Sequence, residues 1–210
     1  MSSLFSADFV RISSQTQSIS KSCLQTSEDE AFPSKKADFA IAFSPSHPDV
    51  QKEYDALYSE GGVRPSLSQM NDVYTTTLAL YLGAEVKKFG GDEVEARGQC
   101  FQWLGAGVKK LRDLIDSTEV TLPLLGWVIV GHRWELFMAI GKGNDPNDEV
   151  TVFGPIRGCT IETWSYFGAF KLLRLMERIK HWARKTYWPW YYKAVIEPLK
   201  LTTNDDDEMS

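Results

Sequence analysis

The chain has 210 residues, of which 43% are hydrophobic and 12% aromatic, and its formal net charge is −5 at pH 7. These values indicate one globular domain with a substantial core and argue against a general nucleic-acid binder. No apolar run approaches the roughly 20 residues of a membrane helix, so we expect no membrane partner. The start Met1-Ser2-Ser3 lacks the features of a secretory signal, and the three cysteines are odd in number. We therefore expect an intracellular protein of the nucleus or cytoplasm that is not secreted.

The first part of the chain predicts a polar segment followed by the start of a folded domain. Residues 1–36 are rich in Ser, Thr and Gln, with a candidate first strand at Phe9–Ile12 and a polar loop at Gln25–Lys36. The next predicted elements are a strand at Asp38–Phe43, a short helix at Val50–Tyr58, a strand at Leu78–Lys87 and a helix at Asp92–Ser117. Asp92 is a good N-cap for that long helix.

The second part predicts further strands and a second long helix. We interpret Leu122–Gly126 as a connector and Gly131-His132-Arg133 as a tight bend between two strands. The other predicted elements are strands at Trp127–Val130, Trp134–Ile140 and Val150–Phe153, a turn at Gly141–Asp148, and a helix at Thr163–Lys185 whose pattern is interrupted at Pro189. Residues 193–210 are interpreted as a C-terminal extension with a disordered acidic tail. The order predicts one α/β domain over residues 37–192, a mixed sheet flanked by helices.

The run Leu78–Lys87 ends in the one Glu-x-Lys triplet of the chain. In a strand, Glu85 and Lys87 point to the same face and Val86 points to the other. Asp38 stands at the head of a second predicted strand. If the two strands pair, two carboxylates and one ammonium converge, which is enough to hold a divalent cation and activate water. The alternative is an exposed strand end with a surface ion pair.

Several segments together resemble the fungal PD-(D/E)XK nuclease-like domain family, from about Phe9 to Tyr192. The matching segments are Ala37–Ile41, Gly83–Lys87, Glu95-Ala96, Gln99-x-x-x-Trp103, Leu122–Gly126 leading into Val130-Gly131-His132-x-Trp134, and Tyr187-Trp188-Pro189-Trp190. Two features depart from the family pattern. Ala37 stands where the nominal motif has Pro, and the helical layer that usually precedes the first strand is expected to be shortened or missing.

The resemblance implies a restriction-endonuclease-like core and assigns roles at matching positions. Asp38 and Glu85 match metal ligands for Mg²⁺ or Mn²⁺, and the carbonyl of Val86 usually completes the metal shell. Lys87 matches the lysine that orients or deprotonates the attacking water, and we expect a lowered pKa for it beside a metal. Gln99 matches a glutamine that helps hold the active site in some branches, although helix packing is an equal alternative.

A basic stripe on the second long helix is a candidate contact for the phosphate backbone of DNA or RNA. Its members are Lys171, Arg174, Arg178, His181 and Lys185, of which the lysines and arginines are the candidate contacts. The alternative is a solvated helix face. The aromatic segment Tyr187–Tyr192 could stack bases or mediate a protein contact or self-association, but closure of the core is favoured. For His132 a structural role is favoured over a catalytic one.

Three functional interpretations remain open from the sequence. The leading one is a Mg²⁺-dependent nuclease that hydrolyses phosphodiester bonds. The main alternative is a non-catalytic nuclease-like accessory or interaction protein, for instance from a fungal secondary-metabolite gene cluster or a mobile element, which the acidic net charge favours. The third is a pocket adapted to a small molecule, with Trp side chains as its wall.

Overall fold

The computed structural model describes residues 9–14, 18–24, 37–57, 65–117, 120–141 and 150–201. Four of the sequence predictions therefore fall wholly or mainly outside the described residues. They concern the loop at Gln25–Lys36, the turn that follows Gly141, the acidic tail and any helical layer ahead of Phe9. Within these ranges, every helix is too short or too polar to cross a membrane.

One mixed sheet forms the centre of the described structure. Its strands are β1 (Val10–Ser14), β2 (Phe39–Phe43), β3 (Leu80–Lys87), β4 (Val120–Val130), β5 (Arg133–Gly141), β6 (Val150–Phe153) and β7 (Ile161–Glu162). The order across the sheet is β1-β2-β3-β4-β5-β6, and β7 also pairs with β5. Strands β3 and β4 run parallel, and the other pairs run antiparallel. The predicted mixed sheet is confirmed, including a first strand near Phe9–Ile12.

Strand β4 is longer than the sequence predicts. Leu122–Gly126 lies inside β4, so its interpretation as a connector is wrong. The register between β4 and β5 shifts between Val120 and Leu124, and pairing with β3 begins at Leu125. Proline lacks the N–H that a regular ladder needs, and this irregular stretch accommodates Pro123 without losing a paired strand.

Helices lie on both faces of the sheet. They are α1 (Pro48–Leu57), α2 (Glu93–Ile115), α3 (Tyr166–Trp182), a π-helical turn (Ala183–Tyr187), α4 (Trp188–Tyr191) and a second π-helical turn (Tyr192–Ile196). The predicted interruption at Pro189 is wrong, because helical residues continue from 166 to 201. A π turn already interrupts the regular i to i−4 pattern of helix hydrogen bonds. The missing N–H of the nearby Pro189 therefore disturbs this helix less than it would disturb a regular one.

Helix α2 covers one face of the sheet and begins where the sequence predicts. The Asp92 side chain accepts hydrogen bonds from the backbone N–H groups of Val94 and Glu95, both at 2.9 Å. A side chain at Gly83 would place its Cβ only 2.7 Å from the Trp103 ring. Glycine at this position therefore allows α2 to approach β3 closely, which brings the first turns of α2 next to the end of β3.

The helical residues after 166 cover part of the opposite face. Tyr187, Trp188 and Tyr191 are buried, and the Phe43 ring lies 4.7 Å from the Trp188 ring, centroid to centroid. The favoured interpretation of the aromatic segment, closure of the core, is therefore confirmed. Self-association through Tyr187–Tyr192 stays a prediction, for which the half-buried Trp190 and Tyr192 are the accessible rings.

A cavity of about 950 Å³ lies on this same face, between the sheet and α3. Its lining is mainly apolar and includes Val10, Ile12, Phe39, Val86, Ile129 and Met176. Side chains alternate along a strand, so Val86 lines this cavity on the face of β3 opposite to Glu85 and Lys87. The two faces of β3 therefore have different surroundings. The face under α2 is charged, and the face under α3 is apolar.

Candidate functional site

Pairing of β2 with β3 brings two of the predicted acids together. Phe39 lies opposite Ala84 in antiparallel register, so Asp38, one residue earlier, comes opposite Glu85. An oxygen of Asp38 accepts a hydrogen bond from the backbone N–H of Val86 at 2.7 Å. Glu85 is buried and Asp38 is half-buried. The predicted pairing of the two strands is confirmed, and one oxygen of Asp38 is fixed against the backbone of the neighbouring strand.

Lys87 contacts three acceptors on this face. Its Nζ lies 2.9 Å from Oε1 of Gln99, 3.2 Å from Oε1 of Glu85 and 3.3 Å from Oε1 of Glu95. The Gln99 amide in turn donates to Oε1 of Glu95 at 3.1 Å. An ammonium has three N–H donors, so this environment accommodates the protonated form of Lys87. We call Asp38, Glu85, Lys87, Glu95 and Gln99 the carboxylate–lysine cluster.

The pKa values reflect burial and the surplus of negative charge. Burial, followed by the nearby charge of Asp38, raises the pKa of Glu85 from its ordinary value of 4.5 to about 7, although Lys87 opposes the shift. Partial burial alone would lower the pKa of Lys87, but its contacts with Glu85 and Glu95 outweigh that effect and raise it. The lowering that we expect for the pKa of Lys87 applies beside a bound metal ion, so it stays a prediction.

The carboxylate–lysine cluster has the composition of a site for a hard cation. Three carboxylates face one ammonium, and the buried member of the three has an unfavourable ionised form. Mg²⁺ binds through one or two carboxylates and keeps several waters, so Asp38, Glu85 and the carbonyl of Val86 provide suitable oxygen donors. Among the described residues, no group of three or more His, Cys, Asp or Glu is arranged to hold a metal by itself. A cation here would rely on water or substrate for its other ligands.

A second charged cluster lies on the other side of α2 and was not predicted from the sequence. Glu135 on β5 is 1% exposed and accepts from Arg97 at 2.8 Å and from Arg133 at 2.5 Å. Both arginines also contact Glu93, at 3.4 Å and 3.3 Å. We call these four residues the arginine cluster. Its two positive and two negative charges compensate one another, which suits a structural link between α2 and β5.

The strand register sets the spacing of the two clusters. Glu85 lies opposite Val128, and Val128 lies opposite Glu135. Neighbouring strands are about 4.8 Å apart, so the two buried glutamates are roughly 10 Å apart on the same face. Helix α2 passes between them, with Glu95 and Gln99 on one side and Glu93 and Arg97 on the other. In the sequence, only the i, i+4 spacing within each pair indicates that its two residues lie on the same side of α2.

The predicted basic stripe does not join this site. Lys171, Arg174, Arg178 and Lys185 are exposed on the helical segment from α3 into the first π turn. Met176 and Ile179 of α3 line the apolar cavity together with Val86, so α3 packs on the face opposite to Glu85. Contact of the stripe with nucleic acid stays a prediction. The apolar cavity likewise does not include Asp38, Glu85 or Lys87.

His132 lies at the tip of the β4–β5 hairpin, close to the end of β3. One of its ring nitrogens is 3.1 Å from Oγ1 of Thr163, and its ring lies 4.0 Å from the Trp164 ring, centroid to centroid. These contacts fit the favoured structural role. Trp164 was not singled out from the sequence, because nothing in its local pattern shows that β7 will place it against His132.

A family model described as the PD-(D/E)XK nuclease superfamily matches residues 3–188 of the chain. That match covers the sheet, α2, both charged clusters and most of the C-terminal helical segment. No curated protein and no solved structure matches the chain.

Proposed function

The chain belongs to the PD-(D/E)XK nuclease superfamily, and we propose that it hydrolyses phosphodiester bonds of nucleic acid with the help of a divalent cation, Mg²⁺ or Mn²⁺. The observation that carries this proposal is the surplus of negative charge around buried Glu85, which Lys87 compensates only in part, so that the pKa of Glu85 is raised to about 7. A buried carboxylate beside two others is unfavourable unless a cation joins them. A purely structural cluster would be expected to balance its charges, as the arginine cluster does.

In this proposal Asp38, Glu85 and the carbonyl of Val86 hold the cation. The chemistry that such a cation supplies is polarisation of a phosphoryl oxygen and a lower pKa for a water molecule. Asp38 keeps one oxygen on the Val86 N–H, at 2.7 Å, which fixes the orientation of its other oxygen. Pre-positioned oxygen ligands of this kind do not need to reorganise when a ligand binds.

Lys87 acts in the proposal as a protonated donor and not as a base. Its three contacts at 2.9–3.3 Å favour the ammonium form. The N–H of Lys87 that faces Glu85 would donate a hydrogen bond to a phosphate oxygen or to a water molecule next to Glu85. Gln99 and Glu95 position the ammonium from α2, so Gln99 has a supporting role. Positive charge beside a scissile phosphate stabilises the charge that develops during hydrolysis.

The test is calorimetric titration of Mg²⁺ and Mn²⁺ combined with cleavage of a mixed DNA and RNA pool. The wild type should bind the ion and cleave, and Glu85→Gln should lose at least about tenfold in affinity and lose cleavage, because the buried ligand no longer carries charge. Glu197→Gln, which removes an exposed carboxylate on the C-terminal helix, is the matched control and should match the wild type. A folded wild type that neither binds the ions nor cleaves would contradict the proposal.

The second candidate is a non-catalytic nuclease-like interaction protein. Two observations favour it: the net charge is −5, and the basic stripe lies on the face opposite to the carboxylate–lysine cluster. A nuclease and a non-catalytic relative can share one fold, because function depends on the site and not on the scaffold. In the experiment above, ion binding without cleavage of any substrate would favour this second candidate.

A further inference from the structure

Three aromatic rings gather beside the carboxyl end of β3. The Trp164 ring lies 4.0 Å from the His132 ring at an interplanar angle of 31°. The Phe89 ring meets Trp164 edge-on at 5.8 Å, centroid to centroid. We call these three residues the aromatic platform. One face of Trp164 is thus covered by His132, and Phe89 packs beside it at nearly a right angle.

Backbone contacts fix the platform to the sheet. The backbone N–H of Thr163 donates to the carbonyl of His132 at 3.0 Å, and Glu162 of β7 pairs with Arg133 of β5. Gly131 has φ +59°, a left-handed conformation that favours glycine, and a side chain there would contact Phe89. The rings are therefore held by strand pairing and a tight hairpin.

These ordered rings are nevertheless exposed to solvent. Trp164 is 63% exposed and Phe89 is 74% exposed, whereas Tyr187 and Tyr191 on the C-terminal helix are fully buried. A core function does not explain rings that contribute so little to the core. Large rings held rigidly at a surface are the usual platform for an unpaired base, because every base has a flat face that stacks.

The platform is close to the proposed catalytic residues. The carbonyl of Lys87 accepts a hydrogen bond from the backbone N–H of Gly131 at 2.9 Å, and Phe89 is only two residues beyond Lys87. The surroundings also favour phosphate. Lys88, between these residues, is exposed, and Trp164 directly precedes Ser165, the N-cap of α3, where the helix dipole is positive.

We infer that the aromatic platform stacks an unpaired base of single-stranded nucleic acid close to the bond that is cleaved. The inference rests on the proposed nuclease function and deepens it by naming the substrate class. Bases in a duplex are stacked on their neighbours and do not offer a free face, so the platform favours single strands or strand ends that have come apart.

The test measures binding by fluorescence anisotropy in EDTA, so that no cleavage occurs. The probes are single-stranded DNA and RNA of about 12 nucleotides and a DNA duplex of the same sequence. The variants are Trp164→Ala, Trp164→Phe, which keeps a stacking ring, and Tyr166→Ala as control. Tyr166 is 89% exposed and lies two residues away, so its removal matches the loss of exposed aromatic surface. Cleavage by each variant is then followed with Mg²⁺.

The wild type should bind single strands more tightly than the duplex. Trp164→Ala should weaken single-strand binding about tenfold, with Trp164→Phe within about threefold of the wild type and Tyr166→Ala unchanged. If the wild type binds and cleaves but Trp164→Ala has no larger effect than Tyr166→Ala, the platform inference is wrong and the nuclease proposal stands. If the wild type neither binds nor cleaves any probe, both fail. The DNA and RNA arms show which single strand is preferred.

Discussion

Helix α2 separates two charged clusters that differ in how their charges are compensated. In the arginine cluster, buried Glu135 contacts two guanidinium groups, and both of these also contact Glu93. In the carboxylate–lysine cluster, buried Glu85 shares one ammonium with Glu95 and also faces Asp38. The two glutamates occupy equivalent rows of the same sheet face, so burial alone does not distinguish them. The number of positively charged side chains nearby distinguishes the two glutamates. It indicates that the arginine cluster contributes to stability and that the carboxylate–lysine cluster can accept a further cation.

The largest effect is expected when the arginine cluster loses its buried charge. Glu135→Gln should lower the free energy of unfolding by roughly 3 kcal/mol, because two part-exposed guanidinium groups lose the buried carboxylate and keep only their contacts with Glu93. Denaturant unfolding measures this change. Glu85→Gln is the matched variant from the other cluster and should be neutral or stabilising above neutral pH, because it removes repulsion. Equal losses in both variants would show that both clusters are structural.

The pH dependence of stability should sharpen the comparison. The pKa of Glu85 is about 7 in the folded protein and near 4.5 when unperturbed, so between these values the folded state holds a proton that the unfolded state releases. This contribution to stability is fully present below about pH 4.5 and is lost as the pH rises through about 7, by up to about 3 kcal/mol.

That pH effect is measured as a difference between two proteins. The free energy of unfolding of the wild type minus that of Glu85→Gln should fall between about pH 5 and about pH 8, since only the wild type has the titrating group. Using the difference removes the contribution of all other titrating residues. A difference that stays constant over this range would mean that Glu85 titrates normally and that the negative charge is already compensated.

A smaller effect is expected from the single ammonium of the carboxylate–lysine cluster. Lys87→Met should destabilise the protein by roughly 1–2 kcal/mol at about pH 8, because Glu85 and Glu95 lose their shared donor. The loss should shrink at about pH 5, where Glu85 is protonated. Lys88→Met, at the next and exposed position, is the control and should stay within about 0.5 kcal/mol of the wild type. A pH-independent loss in Lys87→Met would point to lost packing instead of lost charge.

The parts of the fold that the sequence predicts well depend on local patterns. Strands β2 and β3 and helix α2 were predicted within a few residues, because side-chain alternation, three-four spacing and the Asp92 cap act over short distances. The convergence of Asp38 and Glu85 required only that the two strands pair. The predictions at two prolines were wrong. Pro123 lies inside a strand and Pro189 inside a helical segment, and a register shift in the first and π turns in the second accommodate the missing N–H.

The parts that could not be predicted depend on register between distant strands. Arg97 and Glu135 are 38 residues apart in the sequence, and they meet because β5 places Glu135 two strands from Glu85. Trp164 meets Phe89 and His132 for the same kind of reason, since the short β7 strand determines its position. A single sequence shows no periodic signal for such contacts. The charge balance of a cluster is therefore read from the structure and not from the motif.

The two π turns after α3 set the rotational phase of the last helical residues. An α-helix turns by about 100° per residue, so one residue more or fewer rotates every later side chain by that angle. The turns at Ala183–Tyr187 and Tyr192–Ile196 each hold an extra residue, and the side chains of Trp188, Tyr191 and Ile196 still reach the core. In this segment the number of residues matters as much as their identity. A single deletion there would turn aromatic rings towards solvent while leaving the composition almost unchanged.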